Sequence, residues 1–334
     1  MKFTELTLNE KRDIISRVQS ENGMNLQIIE KDWWVTAVLR ALFSLPYAEQ
    51  ISFKGGTSLS KCWGLIQRMS EDIDIGINRE FLGFDGQLSK SQISDRLRRA
   101  ACSFVREKLQ FDLAKQLTNS GINPECFKVG VNITPISTTD PEIIEIEYSP
   151  VFSDSPYIRP TVIVEVSGRS MSEPVANVKL HSYIDDVFGN APFCEPKFGV
   201  RAVVPQRTFL EKIFLLHEEF CKDKASIRTA RMSRHLYDIC QMLETPIALQ
   251  ALNDKDLYVS VIEHRRMFIG LKGFDYSTLL PQTLNFIPPD DILSLWRQDY
   301  RLMQESMIYG DSLPFDQMID KLHQLNEEIN RMKY

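Results

Sequence analysis

At 334 residues the chain is long enough for a sizeable core and for two domains. Its 43% hydrophobic and 25% charged residues are ordinary for a soluble globular protein. A net charge of −6 excludes a protein that coats nucleic acid by bulk electrostatics, although not one with a local basic groove. The cysteines, Cys62, Cys102, Cys126, Cys194, Cys221 and Cys240, form no C-x-x-C pair, so zinc and thioredoxin chemistry have no support. The run "MKFTELTLNEKRDIIS" lacks the apolar core of a signal peptide, and no stretch approaches the ~18 apolar residues of a membrane span. We therefore expect a reduced, cytoplasmic protein with no membrane association.

Apolar spacing predicts helices over 8–20 and 27–44, the second carrying "EKDWWVTAVLRALFS". A strand near 51–54 runs into Gly55 and Gly56, and a helix or turn follows through "SLSKCWGLIQRM". The interval from Gly56 to Asp72 leaves room for one helix of about four turns. "DIDIGI" then alternates with the period of a half-buried strand. A charged helical region spans 89–119, and "FKVGVNITPI", "EIIEIEYS" and "TVIVEVSG" read as three strands. After "VRAVVP" the pattern is helical to Tyr334. The expected division is a mixed α/β domain over 1–205, with N-terminal helices, and a helical domain over 206–334.

The segment 51–77 carries the chemistry. A strand through "DIDI" turns Asp72 and Asp74 to one face, roughly 6–7 Å apart, and Ile73 and Ile75 to the other. Paired carboxylates suit a hard divalent cation, Mg²⁺ or alternatively Mn²⁺, and such ions assist phosphoryl-type transfer. Glycines let backbone approach a ligand closely, and free N–H groups at a helix start favour a phosphate. Lys54, Gly55, Gly56, Thr57 and Ser58 are thus candidates to bind the phosphates of an NTP substrate. There is no Gly-x-x-x-x-Gly-Lys spacing, so this is not a Walker A loop. Taken alone, a Gly-Gly is most often a turn and an Asp-x-Asp a solvated strand edge; together they say more.

"KGGTSLSK" followed by "SEDIDI" resembles the nucleotidyltransferase superfamily that includes DNA polymerase β. More closely, it resembles the toxins of AbiE-type abortive-infection toxin–antitoxin systems. The likeness takes in "IIEKDWWVTAVLRALF", "YIRPTVIVEVSGRS", "VVPQRTFLEKIFLLHEEF" and "RHLYDICQML", roughly Gln27 to Leu243; residues 246–334 add nothing to it. It implies an α+β fold, a polymerase β-like mixed sheet flanked by helices and followed by a helical C-terminal part. It also implies a third carboxylate on a neighbouring strand. "TVIVEVS" offers Glu165, with Glu145 and Glu147 of "EIIEIEYS" as competitors.

In the resembling family a lysine at the place of Lys212 contacts the nucleotide phosphates, and an aspartate at Asp238 belongs to the functional set. Both would come to the cleft from the helical domain. By spacing, Lys212 borders the stripe Phe209, Ile213, Leu216 and Phe220, where a snorkelling surface lysine is the plain alternative. Arg231, Arg234, His235 and Asp238 fall on one helix face, which read alone would be an internal ion-pair network, of a kind worth little on a surface. Near that point the family pattern commonly has an acidic residue where this chain has His235.

Two basic runs, "SDRLRRAACSFVREK" and "KDKASIRTARMSR", are candidate phosphodiester contacts or solvated helix faces. The resemblance implies a Mg²⁺-dependent nucleotidyltransferase toxin with a cognate antitoxin and an RNA acceptor, in particular the tRNA 3′ end. Transfer to a protein hydroxyl is the rival, and a non-catalytic module that binds nucleotide or antitoxin is the alternative from another class.

Overall fold

A computed structural model describes residues 2–70, 72–132, 142–152, 158–171 and 173–333. The strand expected to continue through 133–136, and Glu71 of the acid motif, lie outside these residues. The described chain forms two compact units, one of 1–62 with 69–203 and one of 63–68 with 204–334.

The first unit is α+β. Helix α1 (Leu8–Asn22) opens on a reciprocal cap: Glu10 N donates to Thr7 Oγ1, and Thr7 N donates to Glu10 Oε2 at 2.7 Å. Helix α2 (Leu26–Leu42) starts at Asn25, whose side chain accepts from Gln27 N at 2.8 Å. Strand β1 (Ile51–Lys54) leads straight into α3 (Gly55–Lys61), and β2 is Asp72–Ile77. The expected four-turn helix is therefore only seven residues long. Gly64, at φ +60°, reverses the chain soon after it, and 63–68 then leave for the second unit.

Helices α4 (Arg98–Phe104) and α5 (Gln110–Asn119) follow, α4 preceded by a π-helical turn at Gln92–Leu97 and joined to α5 by another at Val105–Leu109. The remaining elements are β3 (Phe127–Asn132), β4 (Glu142–Tyr148), β5 (Thr161–Ser167), β6 (Val175–Leu180), α6 (Tyr183–Phe188) and β7 (Phe198–Val203). All described strands join one seven-stranded mixed sheet, ordered β3-β4-β5-β2-β1-β7-β6. β2 runs antiparallel to β1 and parallel to β5. Its core face is aliphatic: Ile73, Ile75, Val162, Val164 and Val166 are fully buried, and α2 and α4 pack against β5. Apolar burial of that kind, worth roughly 1.5–3 kcal/mol per side chain, fixes the register and so which face the acids take.

The second unit is helical: α7 (Pro205–Phe220), α8 (Ser233–Leu243), α9 (Ile247–Asn253), α10 (Lys255–His264), α11 (Leu293–Ser306) and α12 (Phe315–Arg331). α7 packs against α8, α9 and α10, and α8 against α11 and α12. α8 is started from outside, by the Asp299 carboxylate of α11. It accepts from Arg231 N at 2.5 Å and Ser233 N at 2.9 Å, holding Arg231 at φ +60°. No helix among the described residues is long and apolar enough to cross a membrane.

Candidate active site

In the first unit the sheet ladder sets the acids. Asp74 stands in register with Glu165 on the parallel neighbour, and Asp72 with Ile163. Side chains of paired residues share a face and strands lie about 4.8 Å apart, so Asp72, Asp74 and Glu165 line one face. Glu145 and Glu147 sit opposite Ile163 and Thr161 on β4, one strand further from β2. Lys54 pairs with Asp74 across the antiparallel ladder, its Nζ 3.9 Å from Asp74 Oδ1.

The glycine turn meets this row directly. Gly55 has φ +79°, and a Cβ placed on it would fall 1.9 Å from Asp74 Oδ2. The Asp74 carboxylate therefore lies against the bare Cα of Gly55, space that no other residue leaves open. Gly56 is the second residue of α3. Thr57 and Ser58 are buried. Thr57 Oγ1 donates to the Asp72 carbonyl at 2.5 Å, stitching α3 to the start of β2. The Thr57 hydroxyl serves the fold here. Burial pushes the nearby Cys62 thiol up to about 12, which disqualifies it as a nucleophile.

Behind α3, Lys61 forms a buried ion pair with Asp32, whose other oxygen accepts from Tyr183 N at 2.9 Å. Burial raises the Asp32 carboxyl above its usual range, and Lys61 opposes it. The pair pins the far end of α3 to α2, a structural use of the "EKDWW" run.

Lys212 and Asp238 belong to the second unit, where they meet. Lys212 Nζ donates to Asp238 Oδ2 at 2.8 Å and lies 3.4 Å from His235 Nδ1. Asp238 also accepts two bonds from Arg68, Nε to Oδ1 at 2.7 Å and Nη2 to Oδ2 at 2.8 Å. Both Lys212 and Asp238 are buried, so Lys212 is not a snorkelling surface lysine. Burial alone would raise Asp238, but the Arg68 and Lys212 cations hold it far below the ordinary carboxylate range. Burial lowers the Lys212 ammonium; Asp238 opposes that, and Arg68 and Arg234 add to it. Desolvation, reinforced by the Lys212 charge, keeps His235 neutral, with its Nδ1 turned to that lysine.

Arg68 escapes sequence reasoning, because "GLIQRM" reads as a continuation of the preceding helix. The one available signal is Asp238 itself, an acid among Leu236, Tyr237 and Ile239 that needs a cation if buried.

Many cations of the basic runs are already answered by acids. Arg99 pairs with Asp95, Arg106 with Glu142 and Lys108 with Asp112. Lys222 and Arg228 both pair with Glu219, and Lys224 with Asp291. Such pairs cancel much of the field that a phosphodiester would feel.

Among the described residues no three His, Cys, Asp or Glu side chains gather as a ready-made metal cluster. The donors on the acid face are nonetheless all oxygen. They fit in kind a hard cation that takes one or two carboxylates and completes its shell with water and substrate phosphate.

A search of the curated proteins finds no match. A family described as the nucleotidyl transferase AbiEii toxin of type IV toxin–antitoxin systems matches residues 37–321, running well past Leu243, where the recognisable motifs stop. That span is most of the 334 residues. The chain belongs to the AbiEii family of nucleotidyl transferase toxins, whose membership implies a cognate antitoxin.

Proposed function

We propose that this toxin transfers a nucleoside monophosphate from an NTP to the 3′ end of a tRNA, on a polymerase β-like sheet, in the cytoplasm and with Mg²⁺. What carries the proposal is the meeting of glycine turn and acid row, with Gly55 giving its missing Cβ to the Asp74 carboxylate and Glu165 in register beside it. A solvated strand edge has no need of that packing.

Asp72, Asp74 and Glu165 would hold the metal, with Mn²⁺ as an alternative. When bound, it would neutralise phosphate charge and favour departure of pyrophosphate. The backbone of Gly55 and Gly56 cradles phosphate oxygens, and Lys54, half-buried beside Asp74, adds positive charge there. By the family resemblance, Lys212, held by Asp238 within the second unit, is a further cation for the phosphates. The acceptor hydroxyl attacks the α-phosphorus, the new P–O bond forms as the bond to pyrophosphate breaks, and the proton passes to a carboxylate of the acid row. The tRNA acceptor rests on the family resemblance rather than on a basic surface.

The test is a transfer assay with purified protein, Mg²⁺, total tRNA and each α-labelled NTP in turn, with Asp72→Ala as control. Label on RNA that disappears in the variant supports the proposal and names the base. Label on protein would move the acceptor to a hydroxyl side chain. Absence of label with folded protein would favour a module that binds nucleotide or antitoxin without catalysis.

A further inference from the structure

Two cations share one carboxylate in the second unit. Asp238 Oδ2 accepts from both Lys212 Nζ and Arg68 Nη2, each at 2.8 Å, and Oδ1 accepts from Arg68 Nε at 2.7 Å. The planar guanidinium thus meets the carboxylate with two parallel bonds, a geometry that fixes both oxygens where a single bond would let the group rotate. Arg68 is itself held: Tyr309 N donates to the Gln67 carbonyl at 3.0 Å, Gln67 N to Tyr237 Oη at 3.3 Å, and Arg68 bridges Ile308. Lys212 alone would pair one-to-one with Asp238 and be largely neutralised.

We propose that Arg68 is a positioning residue acting through Asp238: it fixes the carboxylate and takes up part of its charge, leaving the Lys212 ammonium aimed and under-neutralised for a nucleotide phosphate. The proposal rests on the reading of Lys212 as a phosphate contact. Among the described residues, the charged and titratable groups facing Lys212 are Asp238, Arg234 and His235 of α8 and Arg68 of the 63–68 segment. Arg68 and Arg234 lower the lysine and Asp238 raises it, so deleting the Arg68 charge raises it further.

The experiment uses the full-length chain with ¹³C at lysine Cε, the Lys212 signal being assigned through Lys212→Met. Lys212 is expected to titrate below ordinary lysines and to move up in Arg68→Gln. In Arg68→Lys the charge stays but the fork is lost. Its titration should stay near wild type, while kcat for nucleotide transfer falls on the order of 10–100-fold at similar KM. Unchanged titration in Arg68→Gln, or wild-type kcat in Arg68→Lys, overturns the proposal. Should Arg68→Gln fail to fold, Arg68→Lys alone decides it. Should the wild type transfer nothing, the proposed function fails, while the titration still tells whether Arg68 governs Lys212.

Discussion

Replacing Gly55 by alanine strikes the contact between turn and acids. The new methyl would lie 1.9 Å from Asp74 Oδ2 and 2.7 Å from Cγ, against the 3.0 Å below which real Cβ contacts essentially never occur. The carboxylate must retreat by at least about 1.1 Å. Misplacement of about 1 Å at a reacting centre costs on the order of 100-fold in rate. The backbone adds strain, since φ +79° costs an L-residue about 1–2 kcal/mol. For a unit of this size that is a fall in Tm of about 2–8 °C, which leaves the protein folded at 25 °C. Transfer kinetics at 25 °C, beside a thermal melt, separate the two effects. A Gly55→Ala variant within threefold of wild-type kcat would refute the idea that the Asp74 carboxylate must occupy that space.

Asp238→Asn strands Arg68 and Lys212 without their shared acid and should cost about 3–5 kcal/mol by urea unfolding. Because the folded Asp238 carboxyl is depressed, its contribution is complete above the unfolded value near pH 4 and fades as pH falls below it. The variant should therefore lose part of the acid-side slope, and an unchanged slope would count against the network. Glu30 behaves oppositely: burial raises it to about 7, although Val151 N donates to it at 2.6 Å. Its contribution is fully present below the unfolded value and is lost as pH rises through about 7, a swing of at most roughly 3 kcal/mol. Melts of Glu30→Gln should gain on wild type between pH 5 and 8; parallel curves would sink this assignment. Lys61→Met leaves Asp32 buried without its cation and should cost about 3–5 kcal/mol. Adding Asp32→Leu should recover more than half of that in chemical denaturation, and simple additivity of the two losses would contradict it.

Much of this was legible because period-two alternation is unambiguous. With Ile73 and Ile75 in the core, Asp72 and Asp74 had one face left, and Val162, Val164 and Val166 did the same for Glu165. What stayed hidden is non-local. Spacing saw that Lys212 adjoins an apolar stripe, but α7 is buried on most sides, including Arg207, His217, Glu218 and Glu219. The chief partner of Asp238 stayed hidden because Arg68 sits 170 positions earlier. α3 came out short because Gly64 turns the chain away, and apolar periodicity through "SLSKCWGLIQRM" does not encode that departure.

The detour of residues 63–68 makes the two units inseparable as genes are cut. No single scission of the chain yields both whole: a fragment beginning at 204 lacks its arginine, and one ending at 203 carries six residues whose home is elsewhere. The 204–334 piece would keep Lys212 and Asp238 in one-to-one pairing, with Tyr309 and Tyr237 missing the main chain of Gln67. Recombination at the apparent boundary would thus part the splint from the helices it serves and leave it with the acid row, four residues further along. Mixing that piece with a synthetic peptide bearing 63–68 and following its melting would show whether the fragment can be made whole by adding back those six residues.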